Sequence, residues 1–568
     1  MDADPTDQHS GTEAGSAPER RLGRRSLLTG VGALAVAAVR PPRVTLPTTT
    51  TTTTAGPTTT TSAPASTTTS APAPTTTTRP PAPTTTSTTP ASTTTTSTLA
   101  RGDAALALHV ARRCSYGPTP DLLAEIRAVG PTAWIDGQLA WTAIDDSAAD
   151  AIVTAWPRVG QTADQIAAGP QPGAVRSDLA AATAARAVFG RRQLHEVLVD
   201  FWWNHFNVDV TNNAAGPHCP AHDRDVVRPL ATGRFADLLV AVAKSPAMLI
   251  YLDQALSRVD HGRLPIENYA REMLELHTVG VDGGYDETDV KEVAWLLSGW
   301  SLTNRTGTFL FRPEWHAIGP LGTGGDVLGW RPAGLDGVPA GESLLVHLAH
   351  HPRTAARLAH KLAVRFVGEH VRPTDAVVTD AARVYLANDT AIAPTVRSIL
   401  TSTAFGESAG RRVRRPLEYY AATLRALRLQ WDPARAGDFA AFTMSQLGQL
   451  DQIPHAWPTP DGYPDRDGAW TGAGSLVTRW NLATRAGNGF GLPAPTFDPA
   501  RILGSPAPTT LGDALDRIAV SVLGEPLDRT AQSAILTAIG LTATTRWNPA
   551  WSRSAIALVL QSPQHQVR

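Results

Sequence analysis

Apolar residues recur at three- and four-residue intervals through most of the chain from Leu99 onward, and alternating stretches are scarce. That spacing turns one face of each helix toward a core, whereas strands alternate every second residue. Thr119-Pro120-Asp121 offers an N-cap, a proline at the first helical position and an acid in the first turn. Leu122, Leu123, Ile126 and Val129 follow at helical spacing, and Gly130 supplies the stop. Residues 354–367 and 416–429 repeat the pattern with basic residues opposite the apolar stripe. Three apolar runs, LLVAVAKSP, VRSILTST and ALVLQSP, each halt at a Ser-Pro or Ser-Thr pair. Residues 302–343 and 451–475 break the period and are rich in Gly, Pro and Trp. Long irregular segments of this kind often carry function. The expected fold is mainly α: a large multi-helix globular domain with long Gly/Pro/Trp-rich loops over one face.

The first hundred residues do not fit that domain. Arg20, Arg21, Arg24 and Arg25 precede an apolar run at 27–39, shorter than the roughly 20 residues that span a bilayer. Arg24-Arg25-Ser26-Leu27-Leu28 resembles a twin-arginine export signal, an address rather than an anchor. In 47–98, Thr fills 28 of 52 positions and Arg79 is the only charge, so no core can form there. The organisation expected is a signal region at 1–45, a disordered Thr/Pro/Ser linker at 46–99 and a helical domain at 100–568. Such a protein is exported, with no membrane span once the signal is removed. A formal net charge of −1 gives no electrostatic case for nucleic acid. Cys114 and Cys219 are the only cysteines; export permits them to pair, and the spacing leaves the question open.

Two segments place chemistry inside apolar stripes. In RRQLHEVLVDFWWNHFNV, a helical period puts Leu194, Val197, Leu198, Phe201, Trp202 and His205 within an arc of about 140°. His205 is then either a neutral core imidazole or a ligand or base in an apolar pocket. In IENYAREMLELHTVG, one arc carries Glu267, Asn268, Arg271, Glu272 and Glu275, and the opposite arc carries Tyr269, Met273, Leu274 and His277. His277 lies near a helix C-terminus, which favours its protonated form. The charged arc is either a solvated salt-bridge ladder or a cleft wall, with Glu272 and Glu275 as acid/base groups and Arg271 orienting them. Asp282, Asp286 and Asp289 lack calcium-loop spacing and suit turns and caps.

The chain has no GxSxG elbow, P-loop, GxGxxG or HExxH; Val199 stands where a zincin's second histidine would follow His195-Glu196. FWWNHFNV, SPAMLIYLD, ENYAREMLELHTVGVDGGY, KEVAWLLSGW, HPRTAARLAHKLAVRFV, WPTPDGYPDRDGAW and LVLQSPQ together resemble the bacterial family known as domain of unknown function 1800, from about Leu106 to the C-terminus. The resemblance implies a mostly helical exported protein and no particular reaction. It makes Asn204, His205, Asn268, Arg271, Glu272, Glu275, His277 and His316 motif positions. The chain departs from the family pattern at Ile266 and at His316-Ala317, where relatives often carry His-Asp.

The expected site therefore has Glu272, Glu275, Arg271 and Asn268 as catalytic residues. His205, His277 and His316 would be ligands for a divalent metal such as zinc or iron. The leading function is an enzyme acting on an envelope or extracellular substrate. A rival is a non-catalytic surface module that binds polysaccharide or a protein partner through Trp457, Tyr463 and Trp470. A third is a haem or redox protein using His205, for which no CxxCH motif exists.

Overall fold

Prolines open helices along the chain. Pro120, Pro246, Pro352 and Pro416 each occupy the first turn, where a missing N–H removes no helical hydrogen bond. Thr119 accepts from the Leu122 N–H, and Asp286 with Asp289 forms a reciprocal capping box for the Glu287–Leu297 helix. The serine stops are also starts: Ser245, Ser402 and Ser562 sit at the N-caps of the helices that follow.

This computed structural model describes residues 95–318, 326–489 and 497–568, with side chains from Asp103. The expected signal region and residues 46–94 of the expected linker lie outside the described residues. The first helix, Thr95–Arg113, begins inside the stretch read as linker. Described residues up to Thr537 and from Leu541 belong to one compact unit. Among the described residues the only sheet is a two-stranded antiparallel pair, Trp300–Leu302 with Phe309–Phe311. No helix among the described residues is long and apolar enough to cross a membrane.

The alanine-rich Val175–Phe189 helix is buried along most of its length and packs against Pro416–Ala426 and Ala436–Gln449. Small side chains let the helices approach closely. Gly487 makes the same allowance, since a Cβ there would lie 2.7 Å from the Ala557 main chain. Val129 is the exception to its predicted stripe, lying more than half exposed at the helix end. Cys114 and Cys219 are free and fully buried, and burial pushes the Cys114 thiol up to about 12.

A buried arginine knot ties distant parts of the chain together. Glu418 Oε1 lies 2.8 Å from both Arg365 Nη2 and Arg568 Nη1, and 3.3 Å from Arg415 Nε. Arg415 also pairs with Asp200, and Arg412 with Asp467 at 3.3 Å. Arg113 donates to the carbonyls of Phe366, Val367, Ser408 and Arg568. Burial alone would raise the Glu418 carboxyl, but Arg365 and Arg415 overcome it and hold the group down to about 2.

Candidate functional site

The Gln193–His205 helix buries Leu194, Val197, Leu198, Phe201, Trp202 and His205. His205 Nε2 faces the His277 carbonyl at 3.1 Å; a carbonyl only accepts, so Nε2 carries the proton. Nδ1 is then the acceptor, and Lys361 Nζ donates to it at 3.0 Å. Burial, followed by the neighbouring Lys361 and Arg357, holds the imidazole neutral and far below its ordinary value.

The two asparagines flanking His205 grip a loop. Asn204 donates to the Tyr463 carbonyl at 2.8 Å and accepts from the Tyr463 N–H at 2.6 Å, as a peptide group would. Asn207 donates to the carbonyls of Trp457 and Thr459 at 2.9 and 2.8 Å. Gly462 adopts φ +75°, and a Cβ there would collide with the Asn204 carbonyl, so glycine is required.

Opposite lies the Asn268–Glu272 helix, which widens into a π-turn at Met273–His277. Its terminal carbonyls need external donors. Thr278 takes that of Met273, Gly280 that of Leu274, Arg357 that of Leu276 at 2.6 Å, and His205 that of His277. His277 is fully buried, and neither ring nitrogen has a hydrogen-bond partner. The expected protonated form is not what forms: burial, with Arg357 and Lys361 nearby, lowers His277 to about 3. Two neighbouring cations outweigh the helix terminus.

The Pro352–Phe366 helix supplies Arg357, Lys361 and Arg365 on successive turns. Arg365 belongs to the knot. Lys361 is half-buried, and burial with the adjacent Arg357 brings its amine down to about 7 against the opposing pull of Asp465 and Asp461. Glu272 is half-buried and shifted upward by burial, Glu275 and Asp461. Tyr251 closes this rim, its hydroxyl donating to the Pro458 carbonyl at 2.8 Å.

The sequence-derived site is only partly assembled. His205 and His277 meet, with ring centres 6.4 Å apart. His316 is bound elsewhere: Nδ1 faces the Ser298 carbonyl at 2.8 Å and Nε2 faces Asp336 at 3.0 Å, beside a cavity of about 290 Å³ lined by Trp330 and Leu335. Asp336 thus gives His316 a carboxylate neighbour that position 317 does not. Among the described residues no three His, Cys, Asp or Glu side chains are grouped to hold a metal. The described residues thus do not bring His205, His277 and His316 together as one ligand set, and both His205 nitrogens already have partners. Arg271 is drawn to Glu287, at 2.9 and 3.0 Å, with Glu267 and Glu275 at 3.6 and 3.8 Å, so it lies in a surface ladder. Asn268 is exposed and Glu275 half-exposed, the latter bonded by Tyr285. The aromatic platform is corrected too. Tyr463 and Trp470 are buried, with their polar atoms donating to the Ile453 and Pro464 carbonyls. Trp457 alone is half-exposed.

Sequence reading passed over Lys361, Arg357 and Asp461. A signal existed: Lys361 is one of three lysines among 50 basic residues, set beside an apolar stripe where the chain otherwise uses arginine.

A helical domain with a half-buried Lys–His pair beneath a clamped loop is thus the class this chain defines. The family model described as "Protein of unknown function (DUF1800)" matches residues 109–567, and the chain belongs to that family. No curated protein and no solved structure matches it.

Proposed function

We propose that the chain is an exported enzyme that performs general acid–base chemistry on an envelope or extracellular substrate, with Lys361 as base and Glu272 as acid. The observation that carries this reading is the contact of Lys361 Nζ with Nδ1 of a neutral, buried His205. An amine brought down to about 7 has its lone pair available at neutral pH, and His205 fixes its direction. Glu272 is shifted the opposite way, so acid and base are brought toward the same working pH. Asp461 neighbours both groups and lies on the loop held by Asn204 and Asn207. Export rests on the arginine-led N-terminal run and the Thr-rich stretch after it.

The test is pH-resolved acylation of the full chain, read at each lysine by mass spectrometry. Half-labelling of Lys361 is expected near pH 7, with Lys244 and Lys291 read in the same digests as internal references. A Lys361 profile coinciding with the other two removes the base. Against a panel of chromogenic ester, amide and glycoside probes, Lys361→Met is expected to lower turnover by roughly 10²–10⁴-fold. Undiminished turnover rejects the assignment.

A further inference from the structure

Arg357 and Lys361 stand one helical turn apart, a like-charged i,i+4 pair that by itself destabilises the helix. Among the described residues neither has a carboxylate within ion-pairing distance. Their polar contacts are the Leu276 carbonyl for Arg357 and His205 Nδ1 for Lys361. The acids that pull on Lys361, Asp465 and Asp461, stand outside ion-pairing distance of it. Asp465 lies 3.6 Å from Arg415 without a hydrogen bond to its Oδ1, and Asp461 accepts from the Trp457 indole at 3.1 Å and from the Thr459 hydroxyl. Beside the two cations, fully buried His277 keeps two unpartnered ring nitrogens. Buried polar groups are nearly always satisfied, and exceptions concentrate where something else must bind.

Arg357 is also held in place. Gly280 adopts φ +91°, and a Cβ there would lie 2.8 Å from Arg357 Cδ, so the missing side chain lets the arginine stem lie against the turn. One guanidinium nitrogen, Nη1, caps the π-turn. The remaining fork geometry suits a planar or tetrahedral oxyanion.

We propose that Arg357 and Lys361 form an anion-recognition subsite beside His205, binding a carboxylate or phosphate group of the substrate, with His277 as the polar wall behind them. This rests on the reading of the Lys361–His205 contact as part of a substrate site. Binding there adds a counter-charge beside Lys361, so the filled subsite makes the amine a stronger base, which takes up a substrate proton more readily and holds it more tightly. The groups facing it are Arg357, His205, His277, Asp461 and Asp465, and among them only Arg357 is a fixed cation.

The test uses the full chain with inorganic phosphate, acetate or chloride at equal ionic strength, and pH-resolved acylation read at each lysine. Phosphate or acetate is expected to slow Lys361 labelling at pH 7 by at least tenfold relative to chloride, with Lys244 and Lys291 unchanged. An effect of phosphate alone identifies a phosphoryl group, and of acetate alone a carboxylate. Arg357→Met should abolish the effect, and Arg357→Lys, which keeps the charge, should retain part of it. No difference from chloride, or equal slowing at all three lysines, overturns the subsite. The profile in chloride alone still reports the lowered amine, so failure of the subsite and failure of the base are read separately.

Discussion

The arginine knot and the Lys361–His205 site both take charge out of water, and they share a helix, since Arg365 and Lys361 lie one turn apart on Pro352–Phe366. In the knot most charges meet a complement: Glu418 gathers Arg365, Arg415 and Arg568, Asp200 takes Arg415 and Asp467 takes Arg412, while Arg113 is held by four main-chain oxygens. Several guanidinium nitrogens there, such as Arg113 Nε and Arg365 Nη1, lack a hydrogen-bond partner, but the ionic pairing is dense. At the Lys361–His205 contact, Lys361 and Arg357 meet only a ring nitrogen and a carbonyl, and His277 meets nothing through its ring. Paired burial supports the fold. Unpaired burial costs stability and is retained where chemistry needs it.

The contrast predicts opposite signs for mutation. The largest effect is at the knot, where Glu418→Ala leaves three guanidiniums without their shared carboxylate. It should destabilise the protein by about 3–5 kcal/mol in urea unfolding. Because Glu418 is held down to about 2, its contribution is complete above the ordinary value of 4.5 and is lost as pH falls between the two. A loss below about 1 kcal/mol would mean that the knot is not a structural unit.

Next in size is Lys361→Met, which should raise stability. A half-buried lysine whose folded value is lowered penalises the folded state while it is charged, most strongly below about pH 7. Wild type should regain ground between about 7 and the ordinary lysine value near 10.4, so the gap between the two proteins narrows over that window. Denaturant midpoints across pH check this; a destabilised variant at pH 6 would erase the distinction between the two regions. The smallest effect is at Arg271. Its ladder is screened by solvent, and Arg271→Ala should leave the thermal midpoint within about 1 °C. A larger drop would place that ladder with the knot rather than with the surface.

How far these regions were legible in the sequence follows from the range of their interactions. Helical period and local caps are short-range, and they correctly placed Thr119, Gly130, Asp286 and the buried arc ending at His205. The period also separated buried Tyr269, Met273 and His277 from the charged face. It could not anticipate the π-turn at Met273–His277, whose carbonyls are closed by donors from two other helices. The knot joins residues from Arg113 to Arg568, and 411–415 read alone is merely a basic run. Lys361 escaped for the same reason: its chemistry comes from Arg357 beside it and His205 across the interface. Tyr463 and Trp470 misled because aromatic density in a Gly/Pro-rich segment looks the same whether the rings face solvent or one another.

The clamp by Asn204 and Asn207 has one more consequence. Because both amides hold the loop through its main chain, their grip does not depend on side-chain identity there; the Thr459 and Asp461 side chains bond to each other, and Asp461 to the Trp457 indole, within the loop. Side chains such as half-exposed Pro460 can therefore change while the backbone beneath them stays fixed. A rim fastened in that way can vary in sequence without shifting its neighbours, whereas Asp461 is tied to Lys361 and Glu272 by charge.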